Sequence, residues 1–342
     1  MKLVVAGATG AVGREMLRTL EARRFPIDEL IALASARSEG ARLSFAGEDV
    51  EVGRLDGFGW QGVDLALFSA GATASKEHAP IAAAAGTVVV DNSSAWRMDP
   101  QVPLVIPEIN TGALEGHRGI VANPNCTAIT ALMAVAPLHR AAGLTSLVMS
   151  SYQSVSGAGQ KGVRELLEQV EKLRGHEEEL MSPDPSVLPA GEVFGRTIAY
   201  NVVPRAGSFE EGGATSEEAK LANESRKILE LPDLSVSGTV VRVPTIVGHA
   251  VAVHATFSRA LSADEARAAL AEFPGVDVVD DPSLDVFPTP VDSAGRDEVL
   301  VGRIRQPEGQ PNAIALFAVG DNLRKGAALN AVQIAERIAG VA

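Results

Sequence analysis

The first 125 residues alternate short apolar runs with helical patterns, and this alternation limits the fold more than any other feature of the chain. Between the first two runs, Val12, Met16 and Leu20 fall on one face of a helix. Strands that alternate with helices are typical of βαβ units, in which helices cover both faces of a parallel sheet. We therefore predict a doubly wound parallel sheet whose strands lie at residues 3–6, 30–34, 63–69, 87–91 and 120–122.

The second half of the chain changes texture after a helical pattern at residues 127–142. At residues 249–257, every second side chain is apolar and shares one face of a strand. Residues 299–305 and 313–319 also have the composition of strands. This half therefore predicts a mostly antiparallel sheet flanked by helices, which makes the fold class α/β plus α+β.

Two capping boxes predict where helices begin in this second half. Thr215 is followed three residues later by Glu218, and Ser262 by Glu265. In such a pair the first side chain and the later carboxylate each satisfy a backbone N–H of the first helical turn. Residues 175–213 are rich in Glu, Pro and Gly and predict a long excursion or a subunit contact.

A final helical pattern at residues 325–338 predicts that the chain ends on a helix. Such a helix can pack back on the first sheet. We predict a first domain of residues 1–125, completed by the C-terminal segment 322–342, and a second domain of residues 126–321.

Composition excludes several classes of protein. A net charge of −13 gives no basic field for nucleic acid or anionic lipid, so neither partner is predicted. A single cysteine rules out an intrachain disulfide and a thiolate-rich metal site, and no metal site is predicted. No apolar stretch approaches the ~20 residues that span a bilayer, and the N-terminus lacks a signal-peptide pattern. We predict a cytoplasmic protein.

A glycine-rich turn follows the first predicted strand and opens the first helix. Its sequence is GATGAVG at residues 7–13, with the spacing GxxGxxG. Glycines such as Gly7 and Gly10 permit a tight turn, and the N–H groups of the helix start can bind a pyrophosphate. The turn predicts dinucleotide binding in a Rossmann-like domain, although a tight turn without a ligand is the alternative.

The end of the second predicted strand indicates which dinucleotide is bound. Folds that prefer NAD usually carry an acidic residue there, which binds the ribose 2′-hydroxyl. This chain has Ser35, Arg37 and Ser38 instead, and these side chains can hold a 2′-phosphate. The pattern favours NADP, with an exposed arginine in a polar loop as the alternative.

Cys126, the only cysteine, lies in the segment NPNCT between a short strand and an apolar helix. A cysteine at a helix N-terminus sees the positive end of the helix dipole, which favours the reactive thiolate. Backbone N–H groups there can also stabilise an oxyanion. An inert core residue is the alternative for any lone cysteine.

A nucleophilic cysteine needs an acid or base and a clamp for an anionic substrate. Gln153, Arg242 and His249 are candidates, because each lies at the start, end or edge of a predicted strand. His254 is five residues beyond His249 and should point to the opposite face. A surface or core role is the alternative for each histidine.

Taken together, segments along the whole chain resemble the aspartate-semialdehyde dehydrogenase family in the family's order. The segments are GATGAVG at 7–13, DNSSAWRM at 91–98, VIPEIN at 105–110, NPNCT at 123–127, YQSVSGAG at 152–159, EEAK at 217–220, RVPTIVGH at 242–249 and DNLRKGAALNA at 321–331. In combination they are far more specific than any one of them.

The resemblance implies a role for individual residues of the catalytic and substrate sites. Cys126 is the implied nucleophile that forms an acyl thioester, and His249 the implied acid/base group. Gln153 and Arg242 are implied to bind the substrate, with Arg242 at the substrate carboxylate. Glu217 is implied to pair with the substrate ammonium group. The implied phosphate-binding residues are Arg97, Lys220 and Asn125.

The resemblance also implies how the cofactor is held and how the chain assembles. The cofactor-binding residues are Gly7, Thr9, Gly10, Ala11 and Val12 at the pyrophosphate, Ser35, Arg37 and Ser38 at the 2′-phosphate, and Ser156, Gly157 and Asn322 near the nicotinamide. The second domain is implied to carry catalysis and dimerisation. A homodimer is expected.

The residues themselves agree with part of this assignment. Glu217 and Lys220 lie three apart, so they share one face of a helix and can reach opposite ends of a zwitterionic phosphate. A solvated surface pair is the alternative. For Arg97, the alternative is a surface arginine that follows Trp96.

The implied reaction is the NADPH-dependent, reversible reductive dephosphorylation of L-aspartyl 4-phosphate to L-aspartate 4-semialdehyde. It serves the biosynthesis of lysine, through diaminopimelate, and of threonine, methionine and isoleucine. One alternative is the related N-acetyl-glutamyl-phosphate reductase, whose substrate has a blocked amine; Glu217 favours a free ammonium. Another is a non-catalytic NADP-binding paralogue, which would be expected to lack Cys126 and His249.

Overall fold

A computed structural model describes residues 1–341, and its first sheet contains seven strands. The strands are β1 (Lys2–Ala6), β2 (Glu29–Ala34), β3 (Arg42–Phe45), β4 (Glu48–Arg54), β5 (Leu65–Phe68), β6 (Val88–Asp91) and β7 (Ile120–Ala122). Their order in the sheet is β3-β4-β2-β1-β5-β6-β7. All neighbouring pairs are parallel except β3 with β4.

The five strands predicted for this sheet are confirmed, each within two residues at either end. The hairpin of β3 and β4 was not predicted. It lies at the edge of the sheet, and most of its side chains are exposed or only half-buried. Its charged residues therefore gave no apolar pattern from which a strand could be inferred.

Four helices accompany this sheet: α1 (Ala11–Ala22), α2 (Ala72–Ala84), α3 (Pro107–Asn110) and a C-terminal helix described below. Met16 and Leu20 of α1 are fully buried and pack in one core cluster with Leu3 and Val5 of β1. Burying a side chain of this size stabilises the fold by about 1.5–3 kcal/mol. The apolar face predicted for this helix therefore anchors the glycine turn that precedes it.

The second sheet has six strands and is mostly antiparallel, as predicted. After α4 (Cys126–Ala142), the strands are β8 (Leu144–Gln153), β9 (Ser235–Arg242), β10 (His249–Phe257), β11 (Val276–Val278), β12 (Val299–Arg305) and β13 (Ala313–Gly320). Their order is β11-β12-β13-β10-β8-β9. The three central pairings are antiparallel, whereas β11 with β12 and β8 with β9 are parallel.

Helices α5 (Gln160–Leu173), α6 (Ser216–Ile228) and α7 (Ala263–Ala271) lie between these strands in the chain. Both predicted capping boxes are confirmed. The Thr215 N–H donates to Glu218 Oε2 at 2.7 Å, and α6 begins at the next residue. Ser262 and Glu265 form the same reciprocal pair at the start of α7.

The chain ends on α8 (Leu329–Ala339), which follows a π-helical turn at Arg324–Ala328. Val332 and Ala335 of α8 are buried in the same cluster as Leu3 and Val5. Ala342, the last residue of the predicted C-terminal segment, lies outside the described residues.

The chain divides into two compact units. The first contains residues 1–129, 223–232 and 323–341, and the second contains residues 130–222 and 233–322. Compared with the predicted domains, the first unit also includes residues 126–129 and 223–232, and Asn322 belongs to the second unit. The predicted domain boundaries stay a prediction. Within residues 1–341, no helix is long and apolar enough to cross a membrane.

Candidate active site

The glycine turn between β1 and α1 is closed by two backbone contacts that exclude any side chain. Gly7 has φ +85°, and a Cβ there would lie 2.4 Å from the Ser69 carbonyl oxygen. A Cβ on Gly13 would lie 2.2 Å from the carbonyl oxygen of Gly7. Gly10 is the N-cap of α1, and no side chain among the described residues caps that helix start. Its N–H groups are suited to bind an anion.

The loop after β2 approaches this turn. Ser35, Arg37 and Ser38 follow the strand, the last two in a single 3₁₀ turn, and Arg37 is exposed. The Thr9 hydroxyl donates to Ser38 Oγ at 3.2 Å. The structure thus brings Thr9, predicted for the pyrophosphate, into contact with Ser38, predicted for the 2′-phosphate.

Cys126 is the first residue of α4 and is partly exposed. Asn125 caps this helix, since its Oδ1 accepts from the N–H groups of Thr127 (2.9 Å) and Ala128 (3.3 Å). These two N–H groups are therefore occupied, and an oxyanion cannot rely on them. The cap fixes the first turn and keeps the thiol at the positive end of the helix dipole.

Arg97 is almost completely buried, so it is not the surface arginine that the sequence also allowed. Its Nε donates to the Asn123 carbonyl at 2.9 Å, and its Nη2 to the Asn92 carbonyl at 3.0 Å. Its Nη1 donates to Glu224 Oε1 at 3.0 Å. The guanidinium is held in one orientation, which a bidentate anion site requires.

His249 is the first residue of β10, and it is fully buried. Its Nδ1 accepts from the backbone N–H of Ser154 (3.1 Å) and lies 3.0 Å from the Ser154 hydroxyl. Its Nε2 is buried and has no hydrogen-bond partner among residues 1–341. Because buried polar atoms are rarely left unpaired, this nitrogen is a candidate for contact with a ligand.

The surroundings of His249 favour the neutral form of its ring. Burial lowers the pKa of His249 well below its ordinary value of 6.5, the positive charge of Arg242 lowers it further, and a hydrogen bond at the Gly248 backbone opposes both. The Ser154 backbone N–H can only donate, so Nδ1 must accept from it. The proton of the neutral ring is therefore on Nε2.

Asn322 connects the other members of this cluster. Its Oδ1 accepts from the Gly248 N–H at 3.0 Å and from the Ser154 hydroxyl at 3.1 Å. Its Nδ2 donates to Ser156 Oγ at 3.0 Å. Ser156 and Asn322, both predicted from the resemblance, are thus in direct contact.

Gln153 and Arg242 lie side by side at the ends of β8 and β9, where the parallel register pairs one with the other. Arg242 Nη1 donates to the Ser154 carbonyl at 3.1 Å. A Cβ on Gly157 would lie 2.6 Å from that same Nη1 and 2.9 Å from His249 Nε2. Both side chains therefore pack directly against Gly157, and a larger residue there would displace them.

Glu217 and Lys220 occupy the start of α6, and their side chains form an ion pair. The prediction that they share one face of a helix is confirmed. Both are partly buried.

No group of three His, Cys, Asp or Glu residues able to hold a metal ion occurs in the described part of the chain.

Two family models match most of the chain. Residues 2–117 match the semialdehyde dehydrogenase NAD binding domain, and residues 135–325 match the semialdehyde dehydrogenase dimerisation domain. Aspartate-semialdehyde dehydrogenase from Streptomyces akiyoshiensis is 49% identical over 99% of this chain and 98% of its own length. The enzyme of the same name from Corynebacterium glutamicum is 48% identical over 98% of both chains.

The chain belongs to the aspartate-semialdehyde dehydrogenase family.

A solved structure of another protein has the same fold as this chain. It is aspartate semialdehyde dehydrogenase II from Vibrio cholerae complexed with ASA, which matches with a TM-score of 0.93 and 42% identity. The match covers 99% of this chain and 98% of that one. The predicted family and fold class are therefore confirmed, and the first unit contains a nicotinamide dinucleotide-binding domain of this family.

Two buried residues of this family member were missed by the sequence analysis. Ser154 contacts His249 and Asn322, and Glu224 contacts Arg97 and the Asn125 N–H. Ser154 lies inside the segment YQSVSGAG, directly after Gln153, and this position could have indicated a role in the site. Glu224 falls in the buried stripe of α6 with residues 221, 225 and 228, and a carboxylate on an apolar face was the signal.

Proposed function

We propose that the chain catalyses the reversible, NADPH-dependent reductive dephosphorylation of L-aspartyl 4-phosphate to L-aspartate 4-semialdehyde through a thioester on Cys126. The observation that carries this proposal is the buried cluster around His249, in which Nε2 has no hydrogen-bond partner among residues 1–341 and packs, with the Arg242 guanidinium, against Gly157. A histidine nitrogen of this kind beside an arginine suits an acidic substrate that exchanges protons. Membership of the family supports the same assignment.

The residues present fit a dinucleotide. Gly7 and Gly13 form a cradle that a Cβ would fill, and the start of α1 is open to a pyrophosphate. Arg37 and Ser38, with Ser35, would hold the 2′-phosphate that distinguishes NADP, and Ser156, Gly157 and Asn322 would line the nicotinamide end. When bound, NADPH supplies the hydride that reduces the thioester.

Cys126 acts as the nucleophile. Its thiolate attacks the acyl phosphate carbon, the C–O bond to phosphate breaks, and the phosphate leaves with the bonding electron pair. After reduction, the thiohemiacetal collapses to the aldehyde and regenerates the thiolate. The capped start of α4 stabilises the thiolate during these steps.

His249 transfers protons to and from the substrate oxygen and the Cys126 sulfur. In the neutral form described here, Nε2–H donates to the carbonyl oxygen and stabilises the developing oxyanion. To take up the thiol proton at Nε2, the ring needs its other tautomer, in which Nδ1 carries the proton. In that tautomer the Ser154 hydroxyl accepts from Nδ1–H, and the Ser154 backbone N–H gives up its hydrogen bond to Nδ1.

The charged ends of the substrate are divided among four side chains. Arg242 holds the α-carboxylate beside Gln153, and Glu217 pairs with the α-ammonium group. Arg97, Lys220 and Asn125 bind the phosphate. On substrate binding, Glu217 and Lys220 exchange their mutual ion pair for these partners.

The test of this function is an initial-rate assay that follows the reduction of NADP after the protein is mixed with aspartate semialdehyde, the hydride donor, and phosphate, the acyl acceptor. We expect turnover with the free amine and little with the N-acetylated aldehyde. Preference for the acetylated compound would favour the N-acetyl-glutamyl-phosphate reductase alternative. Cofactor binding without turnover of either aldehyde would favour a non-catalytic paralogue.

Arg37→Ala is expected to weaken NADPH binding by about 1.5–3 kcal/mol, the size of hydrogen bonds to a charged group, and to leave NADH binding nearly unchanged. The reason is that only NADPH carries the 2′-phosphate. Fluorescence titration with both cofactors measures the difference. Arg42→Ala, at an exposed strand position of the same unit, is the matched control. Equal weakening of both cofactors would remove Arg37 from the 2′-phosphate site.

Gly157→Ala is expected to lower kcat/KM by about 10²-fold, because the added methyl group would displace both Arg242 and His249. The melting temperature should change little. Gly112→Ala is the control, since a Cβ there meets no atom within 4 Å. Wild-type kinetics in Gly157→Ala would show that the positions of Arg242 and His249 against Gly157 do not matter for the reaction.

We also infer a homodimer that buries an open face of the second sheet. Val148 and Tyr152 lie on that face of β8 and are 45% and 39% exposed. The Tyr152 ring lies 5.9 Å from that of Phe317 on β13. Exposed apolar faces of this kind mark protein interfaces. Light scattering should give twice the chain mass of 35.5 kDa, and a monomer would contradict the inference.

The metabolic setting follows from the proposed reaction. We place it in the cytoplasm, in the biosynthesis of lysine, threonine, methionine and isoleucine.

A further inference from the structure

Glu224 is a fully buried carboxylate that the reaction above does not use. A buried carboxylate costs several kcal/mol of solvation free energy unless its partners compensate for it. Its Oε1 accepts from Arg97 Nη1 at 3.0 Å, and its Oε2 accepts from the backbone N–H of Asn125 at 2.6 Å. One side chain therefore contacts both the predicted phosphate-binding arginine and the residue that precedes the predicted nucleophile.

The second partner of this carboxylate determines how the Cys126 turn is held. Asn125 caps α4 through its side chain, and Glu224 fixes its backbone. Arg97 Nε binds the Asn123 carbonyl two residues earlier. The ion pair of Arg97 and Glu224 thus fixes the turn before Cys126 at two points, on opposite sides of Pro124.

Arg97, the first partner of the Glu224 carboxylate, keeps some of its N–H donors available. A guanidinium has five N–H donors, and three of them contact Glu224, Asn92 and Asn123. One N–H on each terminal nitrogen remains, which is the donor set for a bidentate phosphate. Lys227, one turn after Glu224, donates to the Arg97, Asp99 and Val102 carbonyls and fixes the backbone of the same segment.

We propose that Glu224 is a positioning residue that holds Arg97 and the Cys126 turn in one arrangement, so that phosphate binding and thiolate attack depend on the same carboxylate. The proposal rests on the proposed function, in which Arg97 binds phosphate and Cys126 is the nucleophile. Glu224 touches neither the substrate nor the reacting atoms. Its effect is transmitted through hydrogen bonds to groups that do.

Glu224→Gln tests the proposal because it keeps the shape of the side chain and removes its charge. We expect the KM for phosphate to rise about tenfold, the loss of roughly one charge-assisted hydrogen bond at Arg97. The KM for aspartate semialdehyde should stay within about twofold, because Arg242 and Gln153 are untouched. Glu224→Asp keeps the charge, is expected to show a smaller effect of the same kind, and replaces the Gln variant if the latter fails to fold.

Glu336→Gln is the matched control for a merely structural ion pair. Glu336 is a mostly buried carboxylate of the same unit that binds Arg23 Nε at 2.6 Å and Nη2 at 2.8 Å. Both Gln variants should lower the melting temperature, but only Glu224→Gln should change the KM for phosphate. If both variants left that KM at the wild-type value, Glu224 would be structural only and the proposal would be overturned.

A second measurement needs neither substrate nor turnover, so it separates this proposal from the proposed function. Iodoacetamide alkylation of Cys126 is followed against pH in wild type and Glu224→Gln. Removing the carboxylate leaves the positive charge of Arg97 uncompensated near the turn, which favours the thiolate. We expect the alkylation profile to move to lower pH by roughly one unit. An unchanged profile would overturn the proposal, even in a protein that catalyses the assigned reaction; a shifted profile without turnover would leave only the proposed function at fault.

Discussion

Cys126→Ala is expected to abolish turnover, lowering kcat by roughly 10⁴-fold or more, as for the loss of a covalent nucleophile in other enzymes. The physical reason is that no other thiol exists in the chain, so the acyl group has no sulfur to which it can transfer. The affinity for NADPH should stay nearly unchanged, because the pyrophosphate is assigned to the glycine turn at residues 7–13. Initial rates and a fluorescence titration of NADPH measure the two quantities.

Cys126→Ser is the companion variant. It preserves the size of the side chain and the cap by Asn125, but a hydroxyl is far less ionised than a thiol at neutral pH. Only a trace of activity is expected. Substantial turnover in the alanine variant would exclude the thioester mechanism, and a large loss of NADPH affinity would show that the thiol also supports the cofactor site.

His249→Asn is expected to lower kcat by about 10²–10⁴-fold, the usual contribution of a positioned acid or base. Asparagine can still accept from the Ser154 N–H, so the fold around Gly248 and Asn322 should be retained. It cannot exchange protons at the position of Nε2. Initial rates, with circular dichroism as the check on folding, measure the effect. Activity near that of wild type would mean that the unpartnered nitrogen has no catalytic role.

The same variant should alter how stability depends on pH. The folded protein keeps His249 neutral because burial and Arg242 lower its pKa, whereas the unfolded chain takes up a proton below about pH 6.5. The stability contributed by the neutral ring is therefore present above that pH and is lost as the pH falls. The free energy of unfolding of the wild type should decrease more steeply below pH 6.5 than that of His249→Asn. Parallel curves would show that the ring titrates normally in the folded state.

The arrangement at Gly157 shows how the fold turns a sequence pattern into a site. Parallel register brings Gln153 and Arg242 to one edge of the sheet, and β10 begins at His249 beside them. A residue without a side chain, Gly157, then lets the Arg242 guanidinium and the His249 ring approach its backbone closely. The candidate site therefore lies at strand ends, which are rigid, and in the turn that follows β8.

The sequence by itself determined the features that depend on neighbouring residues. Periodicity gave the five main strands of the first sheet and the helix that buries Met16 and Leu20, because the spacing of apolar side chains is fixed by local backbone geometry. Capping boxes gave the starts of α6 and α7 for the same reason. Cys126 could be placed at a helix start, and the glycine turn at a strand-to-helix junction. The hairpin of β3 and β4 could not be predicted, because its exposed, charged residues have no apolar periodicity.

Only the tertiary structure decided which distant groups meet. Asn322 bonds to Ser154 across 168 residues of chain, and Glu224 bonds to Asn125 across 99. No local pattern encodes such pairs, since they depend on how strands and helices return to one another after long excursions. The same holds for chemistry: only in the folded chain does His249 have an Nε2 without a hydrogen-bond partner among residues 1–341 and a pKa lowered by burial and by the charge of Arg242. Residue type and family resemblance could name His249 and Arg97, but the packing of the chain determined their protonation, their orientation and the buried carboxylate that holds one of them.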